Sequence, residues 1–104
     1  MNYYSENKWW ASPFNEEKEV RAQLQMAKQV KIHDATLRDG EQTPGVVFSI
    51  DDKVKIAEML NEIGVERIEA GMPAVSSDDA KAIQLIANRG LNADVYAFVR
   101  AMHK

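Results

Sequence analysis

Segments with strand-like and helix-like patterns alternate along residues 30–99, and this alternation limits the chain to a small set of folds. Strands are predicted at 30–37, 65–70 and 93–99, and an amphipathic helical pattern separates each pair. Connections this short imply a parallel sheet with right-handed helical crossovers. The order β-α-β-α-β is how two α/β architectures begin, a doubly wound sheet and a (β/α)8 barrel.

Both predicted helices carry polar start signals and glycine stop signals. The first begins at Ser49, which has the spacing of a capping box with Asp52, and it ends at Gly64. The second begins at residue 76 or 77 and ends at Gly90. Since a full barrel needs roughly 250 residues, we expect residues 30–104 to be the first two βα units and third strand of an incomplete (β/α)8 TIM barrel.

Residues 1–29 are predicted to be a separate N-terminal arm and helix. Both tryptophans and two of the three tyrosines lie within 1–15 without any periodic pattern, which is typical of an irregular arm. From Asn15 a helix is expected, with Val20, Leu24 and Ala27 on one face. The aromatic side chains are expected to cover apolar surface, either of their own domain or of a partner.

The composition excludes several functional classes. There are no cysteines, which rules out disulfides and thiolate metal sites, and fits a reducing compartment. The net charge of −3 gives no basic surface, so nucleic acid is not an expected partner. No apolar run reaches the roughly 20 residues that a membrane span needs. We therefore expect a cytoplasmic protein that binds neither membranes nor nucleic acid.

The first predicted strand leads into a loop with a dense set of chemically active groups. Arg38, Asp39, Glu41 and Gln42 follow it within five residues, and α/β folds place active sites at such strand ends. A guanidinium can stabilise an oxyanion, and a carboxylate can hold a hard divalent cation. The alternative is a local Arg38–Asp39 ion pair that fixes the loop, with Glu41 and Gln42 as plain loop residues.

Glu69 ends the second predicted strand and is the other candidate. Carboxyl ends of neighbouring parallel strands are adjacent, so Glu69 is within reach of Arg38; the alternative is a pair with Arg67 or Lys31 on an exposed face. Arg100, after the third strand, is a second positive group at this rim or a surface arginine. The two histidines, at positions 33 and 103, lack the paired spacing of a metal site, so structural roles are expected.

Three segments resemble one enzyme family. The run 34–45 (DATLRDGEQTPG) resembles the opening motif of the DRE-TIM metallolyases, which are pyruvate carboxyltransferase-like enzymes. The runs 68–74 (IEAGMPA) and 96–101 (YAFVRA) resemble that family's second and third strand segments. The family includes 2-isopropylmalate, homocitrate and citramalate synthases and hydroxymethylglutaryl-CoA lyase. The resemblance extends from about residue 30 to 104.

The resemblance implies a role for each matching residue. Arg38 would stabilise the carbonyl or enolate oxygen, Glu69 would orient Arg38 or a metal-bound water, and Gln42 would line the substrate pocket. Asp39 would be a ligand of a divalent metal (Mg, Mn or Zn). The implied reaction is a Claisen-type condensation of acetyl-CoA with a 2-oxo acid in amino-acid biosynthesis, catalysed by an acyltransferase that is a homo-oligomer once its barrel is complete.

The chain also departs from the family. The His-x-His metal pair of a late barrel strand does not occur in it, so the 104 residues by themselves are expected to be inactive. Four interpretations stay open: a fragment of an acyl-CoA:2-oxo acid acyltransferase, a fragment with lyase-type C–C cleavage activity, a non-catalytic α/β interaction module, and a swapped or assembled half-barrel in which several copies close the sheet.

Overall fold

The computed structural model describes residues 3–102. The chain divides into two compact units, Met1–Val30 and Lys31–Lys104. Among the residues described, no helix has both the length and the apolar character needed to cross a membrane.

The first unit contains a β-hairpin where an irregular arm was expected. Strand β1 (Tyr4–Ser5) pairs antiparallel with β2 (Trp9–Trp10). Asn7 adopts a left-handed conformation (φ 58°) between them, and a three-residue loop needs this conformation to reverse the chain. The sequence pattern missed the hairpin because two-residue strands are too short to show an alternating period.

The helix expected from Asn15 is much shorter in the structure. A 3-10 turn covers Pro13–Glu16, and helix α1 covers Lys18–Arg21 only. Val20 and Leu24, two members of the expected apolar face, are 41% and 51% exposed. A short helix is only marginally stable unless one of its faces is packed against other residues. The apolar spacing therefore does not produce a longer helix.

The second unit is a three-stranded parallel sheet with two helices, as the alternation of patterns predicted. The strands β3 (His33–Asp34), β4 (Arg67–Glu69) and β5 (Asp94–Tyr96) lie in the order β3-β4-β5. Helices α2 (Ile50–Glu62) and α3 (Ser77–Ala87) connect them. The mixed α/β class is therefore confirmed.

The helix starts are those predicted. Ser49 Oγ accepts the backbone N–H of Asp52 at 3.1 Å, and Asp52 Oδ2 accepts the N–H of Ser49 at 3.0 Å, which is a complete capping box. Ser76 caps α3 with a single bond of this kind, accepting the N–H of Asp79 at 3.1 Å. Gly64, just after α2, has a φ of 90°, the left-handed conformation of a glycine stop.

The core lies between the sheet and the two helices. Ile68 of β4 is fully buried on this side, and the strand period directs Arg67 and Glu69 to the other face of the sheet. That face therefore carries charged groups next to the strand ends. The buried core residues are Leu37, Val54, Ala57, Ile68, Ala70, Ile86 and Ala93.

Candidate active site

The backbone turns immediately after β3 and carries Arg38 and Asp39 into the following loop. Asp34 accepts the backbone N–H of Thr36 at 2.9 Å and its hydroxyl at 3.1 Å. The carbonyl of Ala35 accepts the N–H groups of Arg38 and Asp39, at 3.1 and 2.8 Å. Since these bonds form a local turn, they end the strand at Asp34, three residues before the predicted end.

Arg38 and Glu69 form a direct ion pair at the strand ends. Arg38 Nε donates to Glu69 Oε1 at 2.7 Å. The Arg38 side chain is 25% exposed, and that of Glu69 is 11% exposed. The expected contact is therefore present, and the alternative pairing of Glu69 with Arg67 or Lys31 is wrong because Glu69 directs its oxygens to other groups.

Glu69 remains ionised despite its burial. The hydrogen bond from Arg38 lowers the pKa of the Glu69 carboxyl below its ordinary value, burial opposes this shift, and the hydrogen bond from His33 adds to it. The hydrogen bond to Glu69 also raises the pKa of the Arg38 guanidinium. The two charges thus hold each other in the ionised form.

His33 and two aromatic rings complete this group. His33 Nε2 donates to Glu69 Oε2 at 3.1 Å, so both oxygens of the carboxylate are engaged. The His33 ring lies 5.5 Å from that of Tyr96, and the Arg38 guanidinium lies 5.0 Å from the centre of the Phe98 ring. These contacts restrict the rotation of Arg38 and fix its orientation. We call Arg38, Glu69 and His33 the Arg38 cluster.

Asp39 points largely to solvent. Its side chain is 69% exposed, and Oδ1 accepts a hydrogen bond from Arg38 Nη1 at 3.2 Å. Within residues 3–102, no three His, Asp or Glu side chains converge in a way that could hold a metal ion. A divalent ion such as Mg²⁺ expects about six ligands, so Asp39 does not by itself fit a complete metal site.

A small cleft lies beside the Arg38 cluster and has a volume of about 130 Å³. Complete ligand pockets occupy about 300–1,000 Å³, so this cleft corresponds to part of a site. Polar groups of the loop face apolar groups that follow β4, which suits a ligand with a charged end and an apolar end. The residues lining the cleft are Leu37, Arg38, Glu41, Gln42, Met72, Val75 and Asp79.

A second charged group lies beneath the same loop. Lys53 of α2 is 4% exposed, and its Nζ lies 2.7 Å from Glu41 Oε2 and also donates to Asp79 Oδ1. Burial lowers the pKa of the Lys53 ammonium, but the hydrogen bonds to Asp79 and Glu41 outweigh this effect and raise the pKa above 10.5. We call Lys53, Glu41 and Asp79 the Lys53 cluster.

The structure thus brings some of the candidate residues together and leaves others apart. Arg38 and Gln42 line the cleft, Glu69 supports Arg38, and Asp39 lies in the same loop. Arg100 is exposed, and position 103 lies outside the described residues. Sequence reasoning missed the Lys53 cluster, although a lysine three residues after Ile50 and four before Ala57, on the apolar face of α2, was a signal for it.

Comparison with known proteins supports one family. The HMGL-like family model matches residues 29–104. Homocitrate synthase AksA of Methanocaldococcus jannaschii is 46% identical over 100% of this chain and 24% of its own length. The putative (R)-citramalate synthase CimA of Archaeoglobus fulgidus is 57% identical over 69% of the chain and 15% of its own length.

A third relative has a different name. The 2-isopropylmalate synthase 2 of Caldanaerobacter subterraneus subsp. tengcongensis is 48% identical over 74% of the chain and 20% of its own length. The chain therefore spans about a quarter or less of the curated relatives that it matches. The matches cover the loop and strand ends described above, so the resemblance seen in the sequence is confirmed.

Proposed function

The chain belongs to the HMGL-like family, and from this premise we propose that it is part of an acyltransferase that condenses acetyl-CoA with a 2-oxo acid. The relatives named above are homocitrate, citramalate and 2-isopropylmalate synthases. Because all three names describe synthases, they favour condensation over the C–C cleavage of a lyase.

We propose that β3, α2, β4, α3 and β5 are the first two βα units and the third strand of a (β/α)8 barrel. The parallel order β3-β4-β5 supports this architecture, as do the charged side chains gathered at the carboxyl ends of β3 and β4. A structure of the complete protein would test the proposal. An open, doubly wound sheet in that structure would refute it.

The proposed reaction is a Claisen-type condensation followed by hydrolysis. A base outside residues 3–102 removes a proton from the methyl group of acetyl-CoA, and the electron pair moves to the thioester oxygen as an enolate. The methyl carbon then bonds to C2 of the 2-oxo acid, whose carbonyl oxygen receives the π electrons and a proton. Water finally cleaves the thioester, which yields a carboxylate and the free CoA thiol.

Arg38 is proposed to stabilise the oxygen on which negative charge develops. The observation that carries this role is the Arg38–Glu69 pair of 2.7 Å, since it presents a permanently charged group in a fixed orientation at a strand end. Glu69 acts as the residue that orients Arg38. Gln42, which lines the same cleft, is proposed to contact the 2-oxo acid.

Asp39 is proposed to be one ligand of a divalent metal (Mg, Mn or Zn). Its exposed carboxylate in the cleft loop supports this role. The other ligands must come from elsewhere, because one carboxylate does not make a site. Asp39→Asn in the full protein should weaken Mn²⁺ binding in a calorimetric titration, and an unchanged affinity would remove Asp39 from the ligand set.

The 104 residues by themselves are proposed to be catalytically inactive, since the cleft is small and no three His, Asp or Glu side chains of residues 3–102 converge on a metal position. We further propose that the complete protein is a cytoplasmic homo-oligomer. The apolar residues Met59 of α2 and Ile63, which directly follows this helix, are 56% and 77% exposed, and subunit interfaces cover surface of this kind. Analytical ultracentrifugation of the complete protein tests the oligomeric state.

The proposed function is tested in the full protein that carries this chain. The assay follows release of the CoA thiol from acetyl-CoA with a panel of 2-oxo acids. Arg38→Ala should lower turnover by about 10²–10³-fold, as loss of one oxyanion-stabilising group does, with an intact fold by circular dichroism. Lys55→Met is the control, because Lys55 is exposed on α2. Wild-type turnover retained in Arg38→Ala refutes the assignment.

A further inference from the structure

Lys53 connects three separate segments through its one ammonium group. Glu41 belongs to the 3-10 turn Gly40–Gln42, Lys53 belongs to α2, and Asp79 lies in the first turn of α3. A lysine is almost never fully buried unless it is paired, and Lys53 has one partner in the loop and the other on α3. The turn is therefore fixed to two helices at once.

The two partners of Lys53 are themselves held in place. Glu41 uses its other oxygen, Oε1, to accept the backbone N–H of Phe48 at 3.2 Å, which joins the two ends of the loop. Asp79 Oδ2 accepts the hydroxyl of Ser76 at 2.6 Å, so the α3 cap orients it. These bonds leave Glu41 and Asp79 little freedom to follow a displaced Lys53.

Both carboxylates of this cluster also line the cleft that contains Arg38 and Gln42. Gln42 directly follows Glu41 in the chain, and Arg38 precedes it by three residues. The contacts of the Glu41 side chain therefore restrain the backbone segment that carries both cleft residues. A displacement of about 1 Å at such a position can cost on the order of 10²-fold in rate.

We propose that Lys53 is a positioning residue that holds the turn 40–42 in register with the cleft and thereby sets where Gln42 and Arg38 meet the 2-oxo acid. The expected effect on the 2-oxo acid rests on the proposed function. The immobilisation of the turn does not, because amide hydrogen exchange measures it without any substrate.

The test uses four variants of the full protein: Lys53→Met, Glu41→Gln, the double variant of both, and Lys55→Met. Lys53→Met removes the charge and keeps an apolar side chain of similar length, whereas Lys55→Met removes a charge from the exposed face of the same helix. Amide hydrogen exchange is measured for residues 40–48 and for α2. The ratio kcat/KM is measured with the 2-oxo acid that the wild-type protein uses best.

In Lys53→Met and Glu41→Gln, amide exchange in residues 40–48 should accelerate relative to the wild type by a larger factor than exchange in α2. The double variant should accelerate exchange no more than the more strongly affected single variant does. In the same variants kcat/KM should fall by about 10-fold or more, the scale on which loss of supporting contacts lowers activity. Lys55→Met should match the wild type in both measurements.

Three exchange results would overturn the proposal: unchanged exchange in residues 40–48, equal acceleration of exchange throughout the chain, or an acceleration in the double variant that is the product of those in the two single variants. An unaltered kcat/KM in an otherwise active protein would do so as well. If Lys53→Met does not fold, Glu41→Gln decides, because it leaves the Lys53–Asp79 pair in place. If the wild type condenses no 2-oxo acid, the proposed function fails, while the exchange data still decide whether Lys53 holds the turn.

Discussion

The Arg38 cluster and the Lys53 cluster both contact the loop after β3, yet water reaches them very differently. The side chains of Arg38 and His33 are 25% and 42% exposed, whereas that of Lys53 is 5% exposed. Each cluster contains ionised groups in direct contact. The difference is that the Arg38 and His33 side chains meet water, whereas the Lys53 ammonium is enclosed between the loop and two helices.

This difference separates the energetic roles of the two clusters. Breaking a buried pair leaves an uncompensated charge without water, which is strongly destabilising. In a partly exposed pair, water screens the charges, so their contribution to folding is small. The Lys53 cluster should therefore support the fold and the loop, whereas the Arg38 cluster should matter mainly for the reacting ligand.

The largest expected effect is on stability, from Lys53→Met. It should lower the free energy of unfolding of the full protein by about 3 kcal/mol, at the lower end of the range for breaking a buried pair, because Glu41 and Asp79 keep some contact with water. Urea denaturation followed by circular dichroism measures the change. Lys55→Met should stay within about 0.5 kcal/mol of the wild type; an equal loss in both variants would show that the burial of Lys53 is irrelevant.

Glu69→Gln should lower turnover strongly and the free energy of unfolding only slightly. The substitution keeps the shape of the side chain and removes the charge that orients Arg38, so turnover should fall by about 10–100-fold, as for loss of an orienting partner. The free energy of unfolding should change by less than about 1 kcal/mol, since Arg38 and His33 can turn to water. Steady-state kinetics measures turnover, and urea denaturation measures the free energy of unfolding. A stability loss as large as that of Lys53→Met would erase the distinction between the clusters.

The two helix caps provide a smaller and matched comparison. Ser49→Ala and Ser76→Ala each remove a side chain that accepts a backbone N–H, which costs about 1 kcal/mol. Each hydroxyl also donates to the carboxylate three residues on, Ser49 to Asp52 and Ser76 to Asp79, but of these two acids only Asp79 belongs to the Lys53 cluster. Ser76→Ala should therefore destabilise more than Ser49→Ala and should accelerate exchange in residues 40–48. If the two substitutions had equal effects on stability and on exchange in residues 40–48, the α3 cap would not restrain the loop.

The smallest expected effect is a change in the acid dependence of stability. Burial raises the pKa of the Asp79 carboxyl, but the hydrogen bonds from Lys53 and Ser76 outweigh this effect, so its pKa lies below 3.8. Because the folded-state pKa is lowered, the contribution of Asp79 is complete above pH 3.8 and is lost as the pH falls through the folded-state value. Lys53→Met should therefore flatten the decline of stability below pH 3.8, measured by urea denaturation at several pH values. An unchanged slope would contradict the pairing.

Residues 31–104 agree with the sequence pattern because local signals and tertiary packing favour the same elements there. The capping box at Ser49 and the glycine stop at Gly64 set the ends of α2 with contacts only a few residues apart. Residues 3–30 differ because their apolar side chains remain exposed, and the apolar spacing of Val20 and Leu24 does not reflect a packed helix. Periodicity is informative only where a face is buried.

The amino-acid sequence was enough to predict the parallel α/β order, the starts of α2 and α3, and the segment that contains Arg38, Asp39 and Gln42, because these depend on local chemistry and short-range spacing. Only the tertiary structure decided that Glu69 pairs with Arg38 and His33, 31 and 36 residues away, and not with a neighbour in its own strand. It alone also placed Lys53 between Glu41 and Asp79. A charge on a helix pattern does not indicate whether it meets water or a carboxylate, since that depends on which segments fold over it.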